Sequence, residues 1–204
     1  MLTPNNKIMK TPTLIALMLL SLVFLSCNKE NINNLDINID PNFRVIENNT
    51  SGTQGRYSYT ESCMTVDLIA GQNEVAGDVS VYSDGTDLII TYKTNEDWVI
   101  DATHLSIGDC NTQSIPTTGS GNPKIGKFDH SSTHSDGVNE VSYYISLDAF
   151  SEDNYCFAAH AVVTNLVNAQ TETAWAEGID FGGNSWAMYV EALLSYCIII
   201  DVVK

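Results

Sequence analysis

VSVYSDGTDLIITY, residues 79–92, decides the fold class. Val79 and Val81 flank Ser80, and Leu88, Ile90 and Tyr92 recur at every second position beyond Ser83-Asp84-Gly85-Thr86. A period of two puts each set on one face of a strand. An Asp-Gly pair between two such runs favours a tight hairpin, because its central residues must accept positive φ. Outward from this hairpin the same texture continues. Trp98-Val99-Ile100 leads to His104-Leu105, and VSYYISL (141–147) and YCFAAHAVV (155–163) follow. Thr171 to Ala176, Trp186 to Val190 and a closing run from Leu193 to Val203 complete the series. No long stretch repeats every 3.6 residues. Short strands at turn-punctuated spacing predict an all-β domain, an antiparallel two-sheet β-sandwich.

Residues 111–128 interrupt that texture with Pro116, Gly119, Gly121, Pro123 and Gly126. The segment is longer than most connections in compact domains, and such loops tend to carry function. The closing CIIIDVV (197–203) is apolar but holds Asp201 and is far shorter than the roughly 20 residues a membrane span needs, so it predicts a buried strand.

The 204 residues carry 9 basic and 25 acidic side chains. Residues 1–26 contain Lys7 and Lys10 and no acid, leaving 9 − 2 = 7 bases from Cys27 onward and a formal charge of 7 − 25 = −18. Such a surface repels phosphate backbones and argues against a nucleic-acid partner. Lys7 and Lys10 precede LIALMLLSLVFL (14–25), an apolar run of signal-peptide rather than membrane-span length. It ends in Phe24-Leu25-Ser26-Cys27, which resembles the lipobox of bacterial lipoproteins. The resemblance implies cleavage before Cys27, acylation of that thiol and stable attachment to the membrane, since several acyl chains hold where one is marginal. Asn28-Lys29-Glu30 resembles in part the export signals of surface lipoproteins, which favours the outer membrane. Asn-rich residues 27–58 then read as the lipidated terminus and a flexible tether, and 59–204 as the β-sandwich domain.

With Cys27 taken by lipid, Cys63, Cys110, Cys156 and Cys197 remain. An oxidising compartment predicts two disulfides with three open connectivities. Cys63 with Cys197 and Cys110 with Cys156 is the favoured pairing: the first ties the initial strand to the last, the second clamps the long loop to a central strand. The C-x2-C spacing of a structural zinc site is absent.

From Ala70-Gly71-Gln72 onward the chain resembles a recurrent domain of exported bacterial proteins. The pieces are AGQ (70–72), VSVYSDGTDLIITY (79–92), Trp98, THLSIG (103–108), GNPKIGKF (121–128), AAHAVV (158–163), TETAWAEG (171–178) and NSWAMY (184–189). Together they span about two thirds of the chain, and the last four are the more specific. Asp129-His130 stands where a proline-tyrosine pair is expected, so that loop departs locally. The resemblance implies an extracytoplasmic β-sandwich module attached to varied anchors and implies no particular activity.

Among candidate site residues, His160 lies in an apolar strand, where a buried imidazole needs hydrogen-bond partners. Trp175 and Glu177 share a strand side, and an aromatic ring beside a carboxylate suits a sugar. The alternative is structural: Trp175 in the core, with Glu177 bonded to His160. Trp186, Met188 and Val190 read as core, and Tyr189 as part of an exposed patch with Trp175. His104, His130 and His134 are scattered and match no HExxH pattern, so no metal site is expected. The turn Asp180 to Asn184 admits Ca2+ as its best cation reading. GxSxG, P-loop and dinucleotide signatures are all missing. The sequence therefore predicts a non-enzymatic, envelope-anchored binding or adhesion module, with glycan as the leading ligand, using Trp175, Glu177, Tyr189 and His160. An accessory subunit docking on another envelope protein is the alternative. A hydrolase using Glu177 with His160 stands third.

Overall fold

The computed structural model describes residues 43–48, 61–112 and 115–197. Residues 1–42, which hold the expected signal peptide and Cys27, and residues 49–60, 113–114 and 198–204 lie outside the described residues. The described chain falls in one compact unit, Ile39–Lys204. Its strands, in chain order, are β1 (Phe43–Asn48), β2 (Met64–Ala70), β3 (Glu74–Ser83), β4 (Asp87–Thr94), β5 (Trp98–Asp109) and β6 (His130–Val138). They continue with β7 (Glu140–Ser146), β8 (Asn154–Asn165), β9 (Thr171–Ala176), β10 (Ile179–Asp180) and β11 (Met188–Leu193). β1 sits inside the stretch read as tether and pairs with β7, so the sheet begins earlier than the expected boundary near residue 59.

The expected hairpin is β3–β4, in register from Gly77 opposite Thr94 to Ser83 opposite Leu88. Gly85 takes φ 86° at its turn. The Asp84 carboxylate accepts hydrogen bonds from the amides of Thr86 (2.9 Å) and Asp87 (2.7 Å), an Asx turn that closes the loop.

All strand pairings are antiparallel, as expected, but the division into two sheets does not appear among the described residues. The strands form one hydrogen-bonded sheet, β1-β7-β4-β3-β2-β9-β8, which continues through β5 to β6. β8 is long enough to pair with β5 along one edge from Tyr155 to Asn165, while β9 and β11 share the other edge end to end. The sheet curls over. Tyr143 of β7 bonds through its hydroxyl to Thr103 of β5 at 2.7 Å, and the Tyr92 hydroxyl of β4 donates to the carbonyl of His104 at 3.0 Å. These strands are far apart in the pairing order, so only a curled sheet brings them together. Asn139 alone separates β6 from β7 and carries the chain across the seam.

The main core fills the concave face. Val79, Val81, Leu88, Ile90, Tyr92, Ile100, Leu105, Tyr143, Tyr155, Phe157 and Val163 are all buried there. Each fully buried aliphatic side chain stabilises by about 1.5–3 kcal/mol. Cys63 is bonded to Cys197 and Cys110 to Cys156, the favoured pairing. The expected closing strand from Leu193 instead turns into a 3-10 turn, Leu194–Tyr196, which brings Cys197 back to the first disulfide; residues 198–203 of that run are not described.

Candidate binding site

β8 explains why a second apolar cluster exists. Tyr155, Phe157, Ala159, Ala161 and Val163 face the main core, while Cys156 and Ala158 belong to a separate apolar cluster on the opposite face. A central strand covered on both faces loses hydrophobic-polar alternation, which is the pattern of YCFAAHAVV.

His160 is the polar member on that outer face. Strand register sets it directly opposite His104 of β5 on one side and Trp175 of β9 on the other. Directly opposed residues point to the same side of a sheet, so the three rings form a row across three strands. The Nδ1 atoms of His160 and His104 are 3.2 Å apart, a hydrogen bond in which one ring donates and the other accepts. His160 is 3% exposed and Trp175 4%. Burial, then the neighbouring His104, hold the His160 imidazole down at about 3, and burial lowers His104 as well. Both rings are therefore neutral at neutral pH. His160 Nε2 has no hydrogen-bond partner among the described residues.

Two irregular segments, 115–128 and 181–187, roof the row. From the first, Phe128 meets Trp175 edge-on at 6.3 Å, and Ile115 is buried beside it. From the second, Phe181 lies 6.4 Å from Trp175 and 5.1 Å from Tyr189, with Ala187 buried and Trp186 and Met188 half-buried at the rim. The Cys110–Cys156 disulfide fastens the start of the first segment to β8. The Asn122 carboxamide oxygen accepts the Ser185 amide at 2.9 Å and clasps the segments together. A Cβ at Gly183 would lie 2.3 Å from that oxygen, so the clasp needs glycine there.

No family model, curated protein or solved structure matches the chain.

Of the sequence-predicted residues, Trp175 is a buried anchor and not an exposed sugar platform. Glu177 lies beyond the end of β9, exposed, its amide donating to the Asp67 carbonyl. His160 bonds His104 in place of the expected Glu177. Tyr189 is half-buried in the same apolar cluster as Trp175, not in the exposed patch expected for the two. Trp186 and Met188 join the roof, and Val190 alone of that trio enters the main core. His130 and His134 lie on the concave side: His130 is opposite Leu105 and 6.5 Å from the Tyr143 ring, and His134 Nε2 is 3.4 Å from the Thr103 hydroxyl. The Asp180 carboxylate accepts the Gly182 amide of its own turn. Among the described residues no group of three or more His, Cys, Asp or Glu side chains gathers as for a metal ion. Sequence reasoning missed His104, whose role depends on which strand pairs with β8.

Proposed function

We propose that this chain is an envelope lipoprotein, anchored through acylated Cys27, whose β module binds a ligand without catalysis at the roofed outer face of β5, β8 and β9. One observation carries the reading. The motifs behind the family resemblance converge there: THLSIG supplies His104, GNPKIGKF supplies Ile125 and Phe128, AAHAVV supplies Ala158 and His160, TETAWAEG supplies Trp175, and NSWAMY supplies Trp186, Ala187 and Tyr189. Five dispersed segments meeting on one outer face, with a disulfide and a clasp holding its loops, is more construction than closing a core requires.

A glycan is the ligand class this face suits. Half-buried Trp186 and Tyr189 offer ring surface at the rim, and exposed Glu177 and Asp180 offer acceptors for hydroxyls nearby in sequence. The docking-subunit reading draws on a different place. Exposed Val75 and Leu166-Val167 flank the turn at 95–97, which bonds to both segments through Asn95 to the Val75 carbonyl and the Leu166 amide to Asp97.

Thermal unfolding against a polysaccharide panel separates the two. A ligand at 100 times its Kd stabilises by about 2.7 kcal/mol, a shift of several degrees. A shift with one glycan class that disappears in Trp186→Ala supports the module. No shift at high polysaccharide concentration sinks it and leaves docking. Palmitate labelling that survives Cys27→Ser would sink the anchor.

A further inference from the structure

The paired imidazoles of β5 and β8 have a second use that the roof aromatics do not explain. Two Zn–N bonds of about 2.0–2.1 Å at a tetrahedral angle hold their nitrogens about 3.3–3.4 Å apart. The Nδ1 atoms of His104 and His160 stand at 3.2 Å. We propose that His104 and His160 form a two-histidine site for a divalent d-block ion of the zinc class, each giving Nδ1, with solvent or a bound ligand completing the coordination.

Three features support the assignment. The strands are paired on both sides of the row, Thr103 with Ala161 and Leu105 with Ala159, so the Cα positions are fixed before any ion arrives. Converging both lone pairs on one ion requires the rings to turn and leaves the strands in place; the rings are already tilted by 54° to each other. His104 is only half-buried, which leaves a side open for the ion and its remaining ligands. Imidazole selects zinc, copper or nickel over calcium, and a tetrahedral nitrogen-nitrogen edge favours zinc among these. Once Nδ1 is committed to the ion, the proton of His160 resides on Nε2, the atom otherwise left without a partner, on a ring tilted 58° against the Trp175 indole.

The test uses the full chain stripped with EDTA and titrated with Co2+ as a visible reporter. The expected result is one Co2+ per chain with intense tetrahedral absorption, quenched tryptophan fluorescence, and displacement by Zn2+. His104→Phe should weaken binding by more than roughly tenfold. An octahedral spectrum, no saturable binding, or affinity unchanged in His104→Phe overturns the proposal. Ring 15N resonances of the unaltered chain give a reading that needs no variant. Zn2+ must move the Nδ1 signals of His104 and His160. If it moves only those of His130 or His134, or none, the pair is a hydrogen bond and nothing more.

Discussion

The imidazole of His160 packs against the indole of Trp175 with ring centroids 4.7 Å apart, both side chains almost wholly enclosed. Trp175 therefore acts through packing, against His160, Phe128 and Phe181. Trp175→Ala should cost about 3–5 kcal/mol, the range for truncating a buried large aromatic. Trp186→Ala, at the half-buried rim, should cost clearly less and act on ligand binding instead. Urea midpoints of the two variants decide this; equal losses would mean that the rim is core.

The same enclosure makes stability fall with acidity. His160 titrates near 3 in the folded chain because of burial and the adjacent His104, against the ordinary 6.5 when unfolded. Between those values the unfolded state binds more protons, so unfolding free energy rises with pH and the His160 contribution drains away as pH falls from about 6.5 toward 3. His104, lowered by burial, acts in the same direction. The loss is on the order of a few kcal/mol. Urea midpoints measured from pH 7 to 4 should drop more steeply for the unaltered chain than for His160→Leu, and parallel curves would contradict the depressed histidine.

The disulfides differ in what they hold. Cys63–Cys197 joins residues 134 apart, from the edge of the main core to the 3-10 turn after β11, while Cys110–Cys156 spans 46 and binds roof to sheet. Each should stabilise by about 2–4 kcal/mol, with the longer loop at the upper end of the chain-entropy account. Cys63→Ser/Cys197→Ser should lower the global midpoint and speed amide exchange throughout β2 and β11. Cys110→Ser/Cys156→Ser should concentrate faster exchange in residues 115–128. Uniform exchange changes in both pairs would show that the roof is not a separate unit.

The sequence made the sheet legible where apolar and polar residues alternate. Val79, Val81, Leu88, Ile90 and Tyr92 announce β3 and β4 because Ser80 and Thr91 break the apolar run, although Ser80 and Ile89 are buried on the other face. β8 hides its two roles, since covering both faces erases the pattern that would mark His160 as an outer-face residue. Trp175 misled for a related reason: ETAWAEG looks like an exposed aromatic beside an acid until the roof is known. β1 was hidden by composition, because Asn-rich flanks outweigh the six residues that pair with β7. The single curled sheet was not legible either. Two sheets and one curled sheet present the same strands, and it is the pairing of β9 with both β2 and β8 that makes the sheet continuous. His104 could be recognised only after register placed it opposite His160.

The clasp between the roof segments tests whether the site depends on loop closure or only on the rings beneath it. Gly183 approaches Asn122 so closely that a Cβ would meet its carboxamide oxygen at 2.3 Å and its backbone nitrogen at 2.8 Å. Gly183→Ala cannot keep both the backbone path and the hydrogen bond from the Ser185 amide. The three atoms nearest the added methyl all belong to Asn122, so the main core should be unaffected and the loss in stability should stay at about 1–2 kcal/mol, the scale of one hydrogen bond with local strain. Exchange at Ser185 and at 121–128 should rise, and tryptophan fluorescence should become more accessible to acrylamide as Phe128 and Phe181 loosen over Trp175. Asn122→Ala should reproduce the exchange and quenching changes without the steric insult. If Gly183→Ala instead unfolds the chain as a whole, or leaves quenching unchanged, the two segments do not form a roof that opens on its own.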